Sequence, residues 1–125
     1  MNSAEQLIQH QAAAAGRPFA SSIARLPLRF LPGVTPGIRM RVHVATTGPE
    51  PGNWLVTIDD ADCRVFLGSV ASPDARLYTD SEIGASVLNG ARSVAEALAS
   101  RLLDYDGDPE QLRGFGACFQ LGDAI

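Results

Sequence analysis

Residues 39–67 read Arg-Met-Arg-Val-His-Val-Ala-Thr-Thr-Gly-Pro-Glu-Pro-Gly-Asn-Trp-Leu-Val-Thr-Ile-Asp-Asp-Ala-Asp-Cys-Arg-Val-Phe-Leu, and their periodicity decides the fold. Met40, Val42 and Val44 alternate with Arg39, Arg41 and His43, the period of a half-buried strand over Arg39 to Thr46. Gly48-Pro49-Glu50-Pro51-Gly52 interrupts it. A second run then sets Trp54, Val56 and Ile58 opposite Leu55, Thr57 and Asp59. Asp59-Asp60-Ala61-Asp62 is a hairpin turn, after which Cys63, Val65 and Leu67 face away from Arg64 and Phe66. Three neighbouring antiparallel strands are the simplest topology.

On the N-terminal side the period changes to that of helices. Ser3 with Gln6 forms a capping box, and good helix formers run from Ala4 to Ala15 before Gly16. Pro18 suits the first position of a second helix, where Phe19, Ile23, Leu26 and Phe30 recur at helical spacing until Pro27 kinks or ends it. Pro32-Gly33-Val34-Thr35-Pro36-Gly37 is a turn-rich connector. On the C-terminal side, Ala75 to Thr79 is strand-like, and Thr79 or Asp80 caps a helix bearing Ile83, Val87 and Leu88 that stops at Gly90. Ser93 with Glu96 opens a short helix, and Arg101 to Tyr105 reads as a last strand. Asp108-Pro109 starts a final helix with Leu112, Phe115 and Phe119 on one face. Helices, three strands, a crossover, and two further strands separated by helices make an α+β two-layer pattern.

The chain's 125 residues fit one domain able to bury a core without staples. All ten cationic side chains are arginine. Lysine Schiff bases and phosphate-loop lysines are therefore excluded. The two histidines and two cysteines form no CxxC or HxxxH pair, which leaves no basis for structural zinc. Residues 1–52 carry five Arg against Glu5 and Glu50, whereas residues 53–125 carry five Arg against twelve acids, so the halves are +3 and −7. An acidic second half and dispersed arginines without interleaved aromatics speak against nucleic-acid binding. The N-terminus lacks a basic leader and no apolar run approaches a membrane span, so a cytoplasmic protein is expected.

Catalytic signatures fail one by one. Gly84-Ala85-Ser86-Val87-Leu88 lacks the second glycine of a nucleophile elbow, and Ser86 falls inside an expected helix. His43 reads as an outward-facing strand residue, and His10 has no recognisable partner. Asp104-Tyr105-Asp106-Gly107-Asp108 resembles half a calcium loop, but its glycine is at the fourth position and Phe115 stands where the bidentate Glu belongs. Cys63 and Cys118 sit on apolar faces and read as buried structural thiols. A surplus of apolar residues on short helices over a small sheet suits an apolar cavity.

An ordered set of residues also resembles a known family, the sterol carrier protein type 2 domain. It comprises Trp54-Leu55-Val56-Thr57-Ile58, the turn Asp59-Asp60, Cys63-Arg64-Val65, Pro73-Asp74-Ala75, Thr79-Asp80-Ser81-Glu82, Leu88-x-Gly90, Ala95-x-Ala97, Arg101-Leu102 and Gly107-Asp108. The likeness runs from about Met40 to Leu121, roughly two-thirds of the chain. It implies a five-stranded mixed sheet covered on one face by helices, with a hydrophobic tunnel for a fatty acid, acyl-CoA, sterol or other lipid, and binding without catalysis, cofactor or metal. Carried over residue by residue, it points to Ile83, Val87, Leu88, Leu98, Leu102, Leu112, Phe115 and Phe119 as the tunnel lining, with Phe66 beside them. Trp54 matches a packing aromatic. Where the family usually has a glycine before Arg-Leu, this chain has Ser100, and it ends Asp123-Ala124-Ile125 rather than in a peroxisomal address.

The resulting expectation is a single domain over 1–125, with a helical N-terminal extension at 1–37 and a core at 38–122. Its function is lipid binding or lipid transfer. The alternative is an accessory subunit of a lipid or quinone metabolic assembly, its tunnel collapsed by Phe66, Phe115 and Phe119. Residues 17–41, basic and apolar, are the expected contact for a protein partner or a membrane surface.

Overall fold

The alternating runs form strands β1 (Arg39–Thr47), β2 (Gly52–Asp59) and β3 (Asp62–Leu67), joined antiparallel with Val42 opposite Val56 and Val56 opposite Val65. A computed structural model describes residues 18–34 and 36–119. The helix expected over Ala4 to Ala15, with His10, lies outside the described residues. The remaining elements are helices α1 (Pro18–Ala24) and α2 (Leu26–Arg29) ahead of the sheet, then β4 (Ala75–Asp80), α3 (Ser81–Leu88), α4 (Val94–Ala99), β5 (Leu103–Asp106) and α5 (Pro109–Phe119).

The sheet is mixed, in the order β3-β2-β1-β4-β5. β4 runs parallel to β1, with Ala75 beside Val42 and Thr79 beside Thr46, and β5 returns antiparallel. Residues 68–74 must therefore carry the chain past β2 and β1. Helices cover the inner face, and Arg41, an outer-face residue, donates from its guanidinium to the Ser72 carbonyl at 2.8 Å. The Arg41 amide meets Asp74 Oδ2 at 2.7 Å, and the Asp74 amide meets the Arg41 carbonyl at 2.9 Å. These bonds pin the crossover to the outer face.

Inner-face positions make the core: Met40, Val42, Val44, Trp54, Val56, Ile58, Cys63 and Val65 are buried, joined by Ala75 and Leu103. Cys118, on α5, is buried in the same core. From the helical layer come Phe19, Ile23 and Leu26 of α1 and α2, so these helices share the core of the sheet. The kink expected at Pro27 falls at Arg25, and Pro27 lies in the first turn of α2, where its missing N–H costs no hydrogen bond.

Helix starts follow their caps. Asp80 accepts from the Glu82 amide at 2.8 Å, Ser93 from the Glu96 amide at 3.0 Å, and Asp108 from the Glu110 amide at 2.9 Å. Gly48, at φ +82, lets the β1–β2 turn pass the Asp80 carboxylate, with which an added Cβ would collide. Asp106 faces Arg76 at 4.0 Å, so the acids of the calcium-like segment serve the sheet edge and a helix cap.

The last strand begins two residues later than the pattern of Arg101 to Tyr105 implies. Arg101 adopts φ +58, a left-handed turn that reverses the chain before Leu103. Side chains cost free energy in that region and glycine does not. Arg101→Gly is expected to be stabilising by up to about 1 kcal/mol, read from urea denaturation, and Arg101→Val destabilising by at least as much.

Tyr105 closes the β5–α5 corner by donating its hydroxyl to the Asp108 carbonyl at 2.7 Å. Desolvation, then the charges of Asp108 and Asp106, holds its phenol above the ordinary value of about 10. The folded state thus keeps a proton that the unfolded chain releases first. The stability this contributes is intact below about pH 10 and is lost as pH rises from there through the folded-state value. Melting temperatures measured across that range should fall less steeply for Tyr105→Phe than for the parent chain.

Candidate functional site

Over β1, β4 and β5, a cavity of about 60 Å³ lies between the inner sheet face and the helices. Its floor is Val44, Leu77, Thr79 and Leu103, inward by strand parity. Its roof comes from every described helix: Phe19 and Ile23 of α1, Leu26 of α2, Gly84, Val87 and Leu88 of α3, Val94 of α4, and Leu112, Phe115 and Gly116 of α5. Among the described residues that line it, Thr79 supplies the one polar side chain, and its hydroxyl is engaged with the Leu102 carbonyl at 3.0 Å. The lining presents hydrocarbon and aromatic carbon.

Helix ends are tied together around this cavity. Arg29 donates to the Leu88 carbonyl and, at 3.3 Å, to the Phe119 carbonyl, placing one cation at the C-terminal ends of α3 and α5. The Leu31 amide donates to the Cys118 carbonyl at 2.8 Å. Rings of Phe30, Phe119 and Phe115 pack in series, tilted to one another, with centroids 5.8 and 5.1 Å apart.

Of the side chains expected to line a tunnel, Val87, Leu88, Leu112 and Phe115 meet in the cavity wall. Phe119 is fully buried behind Phe115, and Leu98 packs half-buried against the core. Ile83 is half-buried, one residue before Gly84, which takes the wall position. Two placements are corrected. Leu102 is 37% exposed because the strand starts after the Arg101 turn, so that Leu103 points inward in its place. Phe66 lies on the opposite face of the sheet, in line with Leu55 and His43, and the parity that buries Cys63 and Val65 forbids it the inner face.

Val44, Leu77, Leu103 and the N-terminal residues Phe19, Ile23 and Leu26 were absent from the expected lining. Strand parity was the available signal for the first three. Helical spacing marks the last three as one apolar face, but nothing local signals what that face meets, since their contacts with α3 and the sheet span tens of residues.

His43 Nε2 lies 2.8 Å from Asn53 Oδ1, an ordinary cross-strand contact. A wider surface hollow between residues 36–40 and α5 is open to solvent. Its charged rim is already paired, Arg39 with Asp59 at 3.1 Å and Glu110 with Arg113. Among the described residues, no three histidine, cysteine or acidic side chains converge as a metal site, and no helix is long and apolar enough to cross a membrane.

No protein-family model and no curated protein matches the sequence. Solved structures do match. The sec-alkylsulfatase Pisa1 from Pseudomonas sp. aligns with a TM-score of 0.68 at 14% identity, over 77% of this chain and 15% of that one. Sterol carrier protein-2 from Aedes aegypti, solved in complex with the C16 fatty acid palmitate, aligns with a TM-score of 0.63 at 17% identity, over 80% of this chain and 91% of that one. The UbiJ-SCP2 ubiquinone synthesis protein aligns with a TM-score of 0.56 at 17% identity, over 97% and 94%. This chain spans about a sixth of the alkylsulfatase's length. Likeness at such identities is one of fold, and together with the open five-stranded mixed sheet and its one-sided helical cover it establishes that the chain has the sterol carrier protein 2 fold.

Proposed function

We propose that this protein is a non-enzymatic lipid-binding or lipid-transfer protein that takes the apolar part of a fatty acyl, sterol-like or other lipid between the sheet and the helices. The observation that carries the reading is the wall of the cavity, built from every described helix and three strands, whose polar side chain among the described residues, Thr79, is already engaged with the Leu102 carbonyl. Val87, Leu88, Leu112 and Phe115 are the proposed contacts, with Phe119 and Leu98 supporting them from behind. Enclosing about 300 Å² of apolar ligand surface at ~25 cal/mol per Å² supplies several kcal/mol before ordering costs, enough for binding without a charged anchor. The palmitate held by the Aedes aegypti protein of the same fold supports a fatty acyl ligand. A cytoplasmic carrier is the setting we infer. Denaturing mass spectrometry of the purified protein is expected to release a lipid, and palmitate is expected to displace a fluorescent fatty acid. Neither lipid nor displacement would defeat the reading.

A second reading has its own observation. Small-molecule pockets span roughly 300–1,000 Å³, and this one encloses about 60 Å³. A chain whose cavity stays closed would serve as an accessory subunit of a lipid or quinone metabolic assembly, as the resemblance in fold to a ubiquinone synthesis protein suggests. Its docking surface would be the exposed Leu28 and Val34 beside Arg25, on the segment proposed to meet a partner or a membrane. Substituting Leu28 and Val34 by aspartate separates the two, since a carrier keeps its lipid affinity and a docking subunit loses its partner.

A further inference from the structure

Phe19 stands out on steric grounds. A Cβ added to Gly84 would lie 2.7 Å from Phe19 Cε1, 3.0 Å from Cδ1 and 3.1 Å from Thr79 Cγ2. The Phe19 ring therefore rests directly on the backbone of α3, where only glycine leaves it room. It is 1% exposed, meets Trp54 edge-on with centroids 5.9 Å apart, and forms part of the cavity wall. An aromatic ring from the N-terminal side of the chain thus occupies the apolar space between α3 and the sheet.

The element that carries this ring is held by a few identifiable contacts. Its seven residues are too few for a helix to persist unaided, so α1 keeps its form through docking. The first amides of α1, those of Phe19 and Ala20, donate to the two oxygens of Glu50 at 2.8 and 3.1 Å. Glu50 is fixed in turn from the β1–β2 turn, its amide donating to Ser81 Oγ at 3.0 Å and its carbonyl accepting from Thr46 Oγ1 at 2.7 Å. Ser22 Oγ donates to Asn89 Oδ1 at 3.0 Å beyond the end of α3. One carboxylate thus caps α1 from across the molecule and couples it to the start of α3.

The cavity is several-fold smaller than a pocket that encloses a small molecule. The floor is a hydrogen-bonded sheet, and α3 and α5 are clamped by Arg29, whereas α1 is a seven-residue helix held by the Glu50 cap and the Ser22–Asn89 hydrogen bond. We propose that Phe19 is a built-in occupant of the apolar site: seated on Gly84 and tethered through Glu50, it fills the space that a ligand's hydrocarbon chain takes, and loading displaces α1. This rests on the lipid-binding reading. It narrows the ligand to one whose buried part is bare hydrocarbon and whose head group stays at the surface, because a polar head among these carbons would lose its hydrogen bonds. Phe19 sets the threshold of apolar contact that a ligand must exceed to enter.

The test uses the full chain and 11-(dansylamino)undecanoic acid as the probe. Phe19→Ala removes the competitor and is expected to bind the probe at least tenfold more tightly than the parent. Glu50→Gln keeps the shape of the tether but replaces one acceptor oxygen by an amide donor, and is expected to bind at least threefold more tightly, with thermal melts confirming that both variants are folded. Palmitate added to the parent should speed hydrogen exchange at the Phe19 and Ala20 amides while those of β1 and β2 stay protected. It should also shift the emission of Trp54, the chain's single tryptophan. Where Phe19→Ala fails to fold, Glu50→Gln and the exchange data decide. Variants that bind no tighter than a binding parent, or α1 amides that gain protection on loading, overturn the proposal and leave the lipid-binding reading standing. No binding by parent or variants, under conditions where Aedes aegypti sterol carrier protein-2 binds the probe, overturns both.

Discussion

Phe119→Ala should lower the free energy of unfolding by about 3–5 kcal/mol, as expected when a fully enclosed aromatic is truncated. Phe119 is 1% exposed and lies in the ring series with Phe30 and Phe115 that joins the N-terminal helices to α5. The hole would open where the Arg29 and Leu31 contacts hold the end of α5, so the surrounding structure is not free to collapse into it. At this size each kcal/mol moves the midpoint by a few degrees, which places the expected fall at about ten degrees or more. Circular dichroism melts provide the measurement. Phe66→Ala, on the outer face of the sheet and half-buried, should cost well under half as much.

The second large effect concerns binding. Val87 points from α3 into the cavity, so Val87→Phe places ring carbons in space that is now empty. Filling a void of this kind avoids the strain of enlarging a side chain in a packed core, and the stability change should stay within about 1.5 kcal/mol. Palmitate affinity should fall at least tenfold, because the new ring, carried on α3, occupies ligand volume that displacement of α1 does not restore. Leu102→Ser, outside the cavity, should leave affinity unchanged. Titrations that use displacement of a fluorescent fatty acid compare the three chains directly. A Val87→Phe chain that is folded and binds palmitate as the parent does would place the ligand elsewhere.

What could be read from the sequence was whatever local chemistry dictates. Alternation of Met40, Val42 and Val44 with arginines fixes which face of β1 is buried, and the acidic turn after Asp59 fixes the register of β2 on β3. The caps at Asp80, Ser93 and Asp108 place three helix starts within a residue of those observed. The left-handed turn at Arg101 has no such signature, since arginine seldom adopts it, and the strand start and the inward residue shift with it. Phe66 shows the same logic in reverse, because its parity already assigned it to the outer face while the family resemblance drew it toward the tunnel. Least legible was the N-terminal wall. Phe19 meets Gly84 across 65 positions, and Glu50 caps α1 across 31. No periodicity encodes such a pairing, which arises only when two separately formed elements dock.

The central claim is that an apolar ligand enters between the sheet and the helices. Methyl-resolved NMR of the full chain, with leucine and valine methyls labelled and palmitate added to saturation, tests it most directly. The account predicts shifts concentrated at Val44, Leu77, Val87, Leu88 and Leu112, with Leu55 on the outer face unmoved. Shifts confined to Leu55 and the exposed Leu28, or a spectrum indifferent to palmitate, would contradict it.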